Sequence, residues 1–195
     1  MVGSGNVFRE GVTIHCGTAG GGGVTRIGDD NLLMAYAHVA HDCIVGNKTI
    51  FANSGTLAGH VIVEDGATIG AFSAVHQFCR VGREAYIGGY TVVTIDALPY
   101  GKTVGSRAMA RVYGVNTIGL ERRGFSAETI GRLKQAYRHL LQSRLNTSQA
   151  LDSIASESDL DGPEVRYLVD FIRTSKRGVN LRRPPKQAEP VGVED

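Results

Sequence analysis

The sequence predicts a parallel β-helix of hexapeptide repeats followed by a small α-helical domain, and three observations carry that reading. From Ile27 to Val93 an aliphatic or Phe residue recurs every six positions without a miss: Ile27, Leu33, Val39, Val45, Phe51, Leu57, Val63, Ile69, Val75, Val81, Ile87 and Val93. Four residues after each stands a small or modest side chain (Asn31, Ala37, Cys43, Thr49, Gly55, Val61, Ala67, Ser73, Cys79, Ala85, Thr91), as the tight corner of a triangular coil requires. Neither a helical period nor simple alternation explains both registers. After residue 125 the spacing becomes helical, with Ile130, Leu133, Tyr137, Leu140, Leu141 and Leu145 on one stripe.

Each element follows in order. The hexad extends backward through Ile14, Phe8 and Val2, but Ile14 and Ile27 lie thirteen residues apart, one more than two hexads, and the surplus falls in Gly17-Thr18-Ala19-Gly20-Gly21-Gly22-Gly23. Such a run could cradle phosphate, yet it lacks the lysine and following helix of a P-loop and reads better as a loop leaving the coil. Met1 directly precedes Val2, so the chain is expected to begin inside a repeat with no cap over the strand edges. The pattern fades near Pro99-Tyr100, which sets the β-helix at 1–100, and glycines 101, 105 and 114 suggest a connecting loop over 101–125. Ser126 is an N-cap candidate for the first helix, a second short helix fits 148–156, and Pro163 opens a third with Val165, Leu168, Val169 and Ile172 inward and Gly178 past its end. The helical domain is thus 126–178. Residues 179–195, with Pro184, Pro185 and Pro190 and few large apolar groups, are expected to form a disordered tail.

Composition narrows the function classes. With 42% hydrophobic and 21% charged residues the chain can bury a core, and its 26 glycines belong to repeated turns. A net charge of +2 is too mild to imply nucleic acid. The three cysteines form no CxxC pair, and Cys43 and Cys79 occupy corner positions, as reduced core thiols of a cytoplasmic protein would. No run has the length of a membrane span, and the first twenty residues lack signal-peptide features.

If three hexads make one turn, residues eighteen apart stack at roughly the 4.8 Å strand spacing. His41, His60 and His76 fall at neighbouring phases of that count and are expected to climb one edge, with His38 on the adjoining flat. His38-Val-Ala-His41-Asp42-Cys43 admits a metal site or an acid/base site. An i, i+3 histidine pair converges on a helix, whereas an extended flat separates its side chains. A neutral His41 beside the Asp42 carboxylate suits a general base; solvated edge histidines are the plain alternative. His15 and His139 read as structural. Gln77 offers an amide to orient a ligand, or a solvated edge residue. Arg122-Arg123, close to Asn116, suit phosphate or simply face water. Arg132, Lys134, Arg138 and Arg144 extend the positive character along the first helix, where an acidic protein could dock.

Taken together and in order, Val12-Thr-Ile-His15, Asn31-Leu-Leu-Met34, Ala37-His38-Val-Ala-His41-Asp42-Cys43, Thr56-Leu-Ala-Gly59-His60, Ala74-Val-His76-Gln77-Phe78-Cys79, Gly114-Val115-Asn116 and Arg122-Arg123-Gly124-Phe125 resemble the UDP-N-acetylglucosamine O-acyltransferases that open lipid A biosynthesis. The resemblance covers roughly residues 6–178. It implies a left-handed parallel β-helix with a helical C-terminal domain, assembled as a homotrimer with active sites between neighbouring β-helices. It implies transfer of a 3-hydroxyacyl chain from acyl carrier protein to the sugar 3-hydroxyl of UDP-N-acetylglucosamine, with no metal or other cofactor. His41 would be the general base, Asp42 would steady its imidazolium, and the Gly59 backbone N–H would stabilise the oxyanion. His60 and Gln77 would bind the sugar, and His38, His76, Asn116, Arg122 and Arg123 would surround the nucleotide, its diphosphate or the acyl-carrier arm. Gly89 would leave room for a longer acyl chain in a groove that Tyr86 could narrow.

The sequence departs from that family twice. Members begin several coils earlier, in a section whose aspartate and lysine complete the cleft across the subunit boundary, so this sequence reads as a truncated product, a misplaced start or a chain with an incomplete cleft. Ile118 stands where a member can carry a glutamate near the nucleotide. Two other functions compete with the transferase: an inactive scaffold fragment of the same fold, and a metal-dependent trimer of the γ-carbonic anhydrase type, for which the helical domain and its Arg pair have no evident use.

Overall fold

The computed structural model describes residues 1–106 and 109–183. The hexads form a triangular solenoid whose three faces are parallel sheets of two-residue strands. The first face stacks Arg26–Ile27, Ile44–Val45, Ile62–Val63 and Arg80–Val81. The second stacks Val7–Phe8, Leu32–Leu33, Ile50–Phe51, Thr68–Ile69 and Tyr86–Ile87. The third stacks Thr13–Ile14, His38–Val39, Thr56–Leu57, Ala74–Val75 and Val92–Val93. The second residue of each strand points inward, and from Ile27 to Val93 none of these side chains is more than 4% exposed. Burying such a side chain contributes roughly 1.5–3 kcal/mol, and the repeat delivers that gain on every side of every coil.

The small residues, Asn31 through Thr91, are buried at the corners. The residue just before each is left-handed, with φ of 59° at Asp42, 61° at His60 and 64° at Phe78. That conformation is uncommon for a residue with a side chain, and here it turns the chain from one face to the next.

The structure revises the sequence reading in three places. The surplus before Ile27 is seven residues, because Val2, Phe8 and Ile14 pair with Ile27, Leu33 and Val39 at a spacing of 25 where later coils use 18. Counting hexads cannot tell two further sides from one side plus an excursion; the ladder of hydrogen bonds decides for the excursion. It runs through residues 17–23 with a 3-10 turn at Ala19–Gly21.

The expected connecting loop at 101–125 is instead built into the fold. Gly101–Val104 pairs parallel with Tyr86–Ile87, and Arg111–Val115 returns antiparallel to it. Gly101 and Thr103 are buried while Lys102 is exposed, so the segment alternates as a strand despite its glycine. Helix α1 (Thr117–Arg122) follows. Then come α2 (Ala127–Gln142), α3 (Thr147–Ser156) and α4 (Pro163–Thr174). The Ser126 hydroxyl accepts the Thr129 N–H, an Asn146/Gln149 capping box starts α3, and Pro163 starts α4. Their apolar faces enclose a second core around Leu120, Leu133, Tyr137, Ile154, Leu168 and Phe171.

Residues 179–183, assigned by composition to a loose tail, are pinned. Val179 pairs with Asp96, Asn180 is buried, and the Val112 N–H donates to the Arg182 carbonyl at 2.7 Å. Backbone groups left open at Asp96 and Val112 hold this segment, an attraction that side-chain composition does not register. The rest of the expected tail, 184–195, lies outside the described residues. Asp96 also rivets the two domains, accepting the Arg80 N–H at 2.8 Å and the Ser175 hydroxyl at 2.7 Å. Among the described residues no helix is long and apolar enough to cross a membrane.

Burial raises the Cys43 and Cys79 thiols to about 11, whereas Cys16 is exposed. A thiol reagent at neutral pH should therefore modify Cys16 rapidly in the native protein and reach Cys43 and Cys79 only on unfolding, which mass spectrometry of the labelled peptides checks.

Candidate active site

The corner between the third and first faces gathers His41, Asp42, Gly59 and His60. His41 Nδ1 lies 2.8 Å from Asp42 Oδ2. The same carboxylate accepts the Thr18 hydroxyl at 2.7 Å on Oδ2 and the Thr18 N–H at 2.9 Å on Oδ1, while the Asp42 N–H donates to the Thr25 hydroxyl at 2.8 Å. The Asp42 side chain is 1% exposed. The Thr18 hydroxyl above all, then His41, hold its pKa down at about 2 against the opposing effect of burial. One coil up, a Cβ on Gly59 would lie 2.6 Å from His41 Cε1 and 2.7 Å from its Nε2. Only glycine lets the imidazole rest over that backbone.

His60 sets its ring edge-on to His41 at 5.2 Å, and its Nε2 is 3.9 Å from Asp42 Oδ2. The next rung is Phe78, stacked on His60 at 4.6 Å. The edge thus carries two histidines where three were expected; His76, two residues short of the corner position, falls on the third face. Donor atoms of His41, Asp42 and His60 lie within 4.8 Å of one another, close enough to share a cation. Both Asp42 oxygens are, however, already engaged by Thr18 and His41, which favours a hydrogen-bonded acid/base pair over a metal centre.

On the third face His38 and His76 line a hollow of about 340 Å³ with Ala40, Thr56, Ala58 and Ala74. His38 Nδ1 lies 2.7 Å from the Thr13 hydroxyl, its ring meets His15 at 4.7 Å, and burial, aided by the charge of His15, lowers its pKa. His76 Nδ1 is 3.3 Å from the Gln77 carbonyl, and Gln77 is exposed on the corner. His139 lies away from this region, with Nε2 3.1 Å from Glu157 Oε2.

The remaining predicted residues lie elsewhere on the chain. Arg123 pairs with Glu84 at 2.9 Å and donates to the Lys48 carbonyl at 3.3 Å, at the corner between the first and second faces. With Asp29, Asn47 and Asp65 they line a polar hollow of about 290 Å³. Burial raises the pKa of Glu84 although Arg123 opposes it. Asn116 stands at the N-cap position of α1 without a side-chain capping bond, its Nδ2 3.5 Å from the Glu84 carbonyl. Arg122 is exposed, as is Ile118. Gly89 lies at the third corner, where a would-be Cβ would make ordinary van der Waals contact with the Ala71 backbone, its oxygen at 3.4 Å, and Tyr86 is on the second face. A single chain therefore brings His41, Asp42, Gly59 and His60 together and leaves the nucleotide and acyl candidates apart.

Thr18, Thr25 and Phe78 belong to the site and were missed. Phe78 was findable, since it stands eighteen residues after His60; Thr18 was not, because its loop has no repeat register.

Asp42 links pH to stability. Its folded pKa of about 2 is below the ordinary 3.8, so its stabilising effect is full above 3.8 and is lost as pH falls through about 2. Asp42→Asn should unfold more readily than the parent chain at pH 7, and the gap should close as pH falls through that window, as measured by denaturant titrations across pH.

Comparison with known proteins agrees with this architecture. The family described as Udp N-acetylglucosamine O-acyltransferase, Domain 2, matches residues 96–180, and the bacterial transferase hexapeptide family (six repeats) matches 24–59. The chain is 47% identical over 180 residues to the acyl-(acyl-carrier-protein)–UDP-N-acetylglucosamine O-acyltransferase of Anaeromyxobacter dehalogenans, covering 92% of this chain and 68% of that protein. Among solved structures, the Francisella novicida UDP-N-acetylglucosamine acyltransferase superposes with a TM-score of 0.87 at 38% identity, covering 95% of this chain and 66% of that one. The LpxA structure from Acinetobacter baumannii gives 0.86 at 39% identity, with coverages of 92% and 69%. The chain spans about two thirds of the length of these relatives. Its solenoid is the left-handed parallel β-helix of these enzymes, and the chain belongs to the family of acyl-(acyl-carrier-protein)–UDP-N-acetylglucosamine O-acyltransferases.

Proposed function

We propose that this chain transfers a 3-hydroxyacyl group from acyl carrier protein to the 3-hydroxyl of UDP-N-acetylglucosamine, the first step of lipid A synthesis, with His41 as general base. The observation that carries the assignment is the 2.8 Å contact of His41 Nδ1 with the buried Asp42 carboxylate. An Nδ1–H directed at Asp42 leaves the Nε2 lone pair to accept a proton. As the sugar oxygen bonds to the thioester carbonyl carbon, its proton passes to Nε2, and Asp42 offsets the charge of the resulting imidazolium. The tetrahedral oxyanion lies where the Gly59 N–H can donate to it. Collapse breaks the carbon–sulfur bond, and the departing thiolate of the carrier takes the proton back from His41. No step calls on a metal or a cofactor.

The other residues bind. His60 and Gln77 hold the sugar, and His38, His76, Asn116, Arg122 and Arg123 take the nucleotide, its diphosphate or the carrier arm. Because these groups occupy different corners and faces of one solenoid, we assign the assembled cleft to a homotrimer in which neighbouring solenoids bring them together. Gly89 leaves the acyl groove long, with Tyr86 along its wall. Buried, unpaired Cys43 and Cys79 suit the reducing cytoplasm.

His41→Ala should lower turnover by about 10²–10⁴-fold, the usual contribution of a general base, with UDP-sugar affinity little changed and the trimer intact by light scattering. His76→Ala and Arg123→Ala should mainly weaken binding. Near-full turnover by an intact His41→Ala trimer would overturn the acid/base assignment.

A further inference from the structure

The seven-residue excursion that lengthens the first coil is not idle chain. It runs through residues 17–23, and Thr18 near its start and Thr25 just past its end both grip one residue, Asp42. Thr18 donates through its backbone N–H to Asp42 Oδ1 at 2.9 Å and through its hydroxyl to Oδ2 at 2.7 Å. Thr25, itself 5% exposed, accepts the Asp42 N–H at 2.8 Å. The loop fixes Thr18 in turn, because the Thr18 carbonyl accepts the N–H groups of Gly21 at 3.0 Å and Gly23 at 2.9 Å. Gly21 closes over the back of the carboxylate so tightly that a Cβ there would lie 2.2 Å from Asp42 Cγ. The carboxylate is therefore held from Thr18, Gly21 and His41 at once.

A carboxylate with two oxygens can rotate about its side-chain bonds and lose its aim at a neighbouring ring. Thr18 removes that freedom by engaging both oxygens, which leaves Oδ2 directed at His41 Nδ1. We propose that the glycine-rich loop is the positioning element of the catalytic base, with Thr18 clamping Asp42 so that His41 is held in the Nδ1–H tautomer with Nε2 open to the substrate hydroxyl. The inference rests on the assignment of His41 as base. Thr18 touches neither substrate nor reacting atoms in this scheme and acts only through Asp42.

The test compares Thr18→Val, which keeps the shape and the backbone N–H but loses the hydroxyl, with Thr18→Ser, which keeps the hydroxyl. Loss of one hydrogen bond to a charged group should lower kcat by about 10-fold, with KM for UDP-N-acetylglucosamine within about twofold, while Thr18→Ser restores turnover to within about twofold of the parent. A readout independent of turnover is the nitrogen-15 spectrum of labelled histidine in the same protein. His41 should show the Nδ1–H tautomer in the parent and in Thr18→Ser, and shift toward the mixture of free imidazole in Thr18→Val. Gly21→Ala, which pushes on the carboxylate from behind, should shift it likewise. Unchanged kcat and an unchanged His41 tautomer in Thr18→Val would overturn the clamp. If His41→Ala still lowers turnover by about 10²–10⁴-fold while Thr18→Val does not, the base assignment survives the loss of the clamp; if His41→Ala keeps near-full turnover, it is the base assignment that fails.

Discussion

The solenoid, and with it the imidazole corner, depends on the stacking of equivalent sides, at an interval of eighteen residues in every coil after the first. Each two-residue strand is too short to persist alone, and its backbone groups are satisfied only by the coils above and below. One inward side chain per strand and the small residue at each corner together supply the core, so a polar residue at an inward position would be buried with no partner for its polar atoms. The same stacking converts distance in sequence into distance in space, which is how His41, Gly59, His60 and Phe78 come to lie together although they are spread over three successive coils.

The solenoid was legible because two registers repeat without interruption over twelve sides, and no competing period accounts for both. The helical domain was legible through its caps, since Ser126 and Pro163 stand where the helices begin. What the periodicity could not reveal is whatever breaks it. Thirteen residues between Ile14 and Ile27 allow two chain paths, and the choice lies in hydrogen bonds that no residue type encodes. The strand at Gly101–Val104 was hidden for a related reason: it is recruited by the open edge of Tyr86–Ile87 rather than by its own propensity. At the site, His41 and Asp42 stood out as an adjacent base and carboxylate, whereas Thr18 reaches Asp42 only through a loop whose path had first to be known.

The solenoid also explains why its candidate residues scatter. A triangular prism has three corners that face away from one another, and a chain climbing it must distribute its polar groups over all of them. The imidazole corner is built around one buried carboxylate, while the Arg123 corner is ringed by Asp29, Asp65 and Glu84 and has a different electrostatic character. Groups at different corners do not meet on one prism. Packing three prisms side by side is the arrangement that would turn separate corners into shared clefts, and it would also cover apolar flank surface.

The contact between His41 and Asp42 is itself unusual for an extended repeat. Consecutive residues of a strand project to opposite faces, so a base and its carboxylate would ordinarily need a spacing of two. Here Asp42 takes the left-handed corner conformation, φ 59°, which breaks the alternation and turns its side chain back beside the preceding imidazole. Aspartate and histidine tolerate that conformation better than most side chains, and both Asp42 and His60 occupy it. Tyr36, Phe72 and Tyr90 occupy it too, so the fold imposes the conformation whatever the residue. The repeat therefore supplies, at every corner, a backbone geometry in which neighbouring side chains can meet, and the corner bearing His41 and Asp42 is where it sets an imidazole against a buried carboxylate.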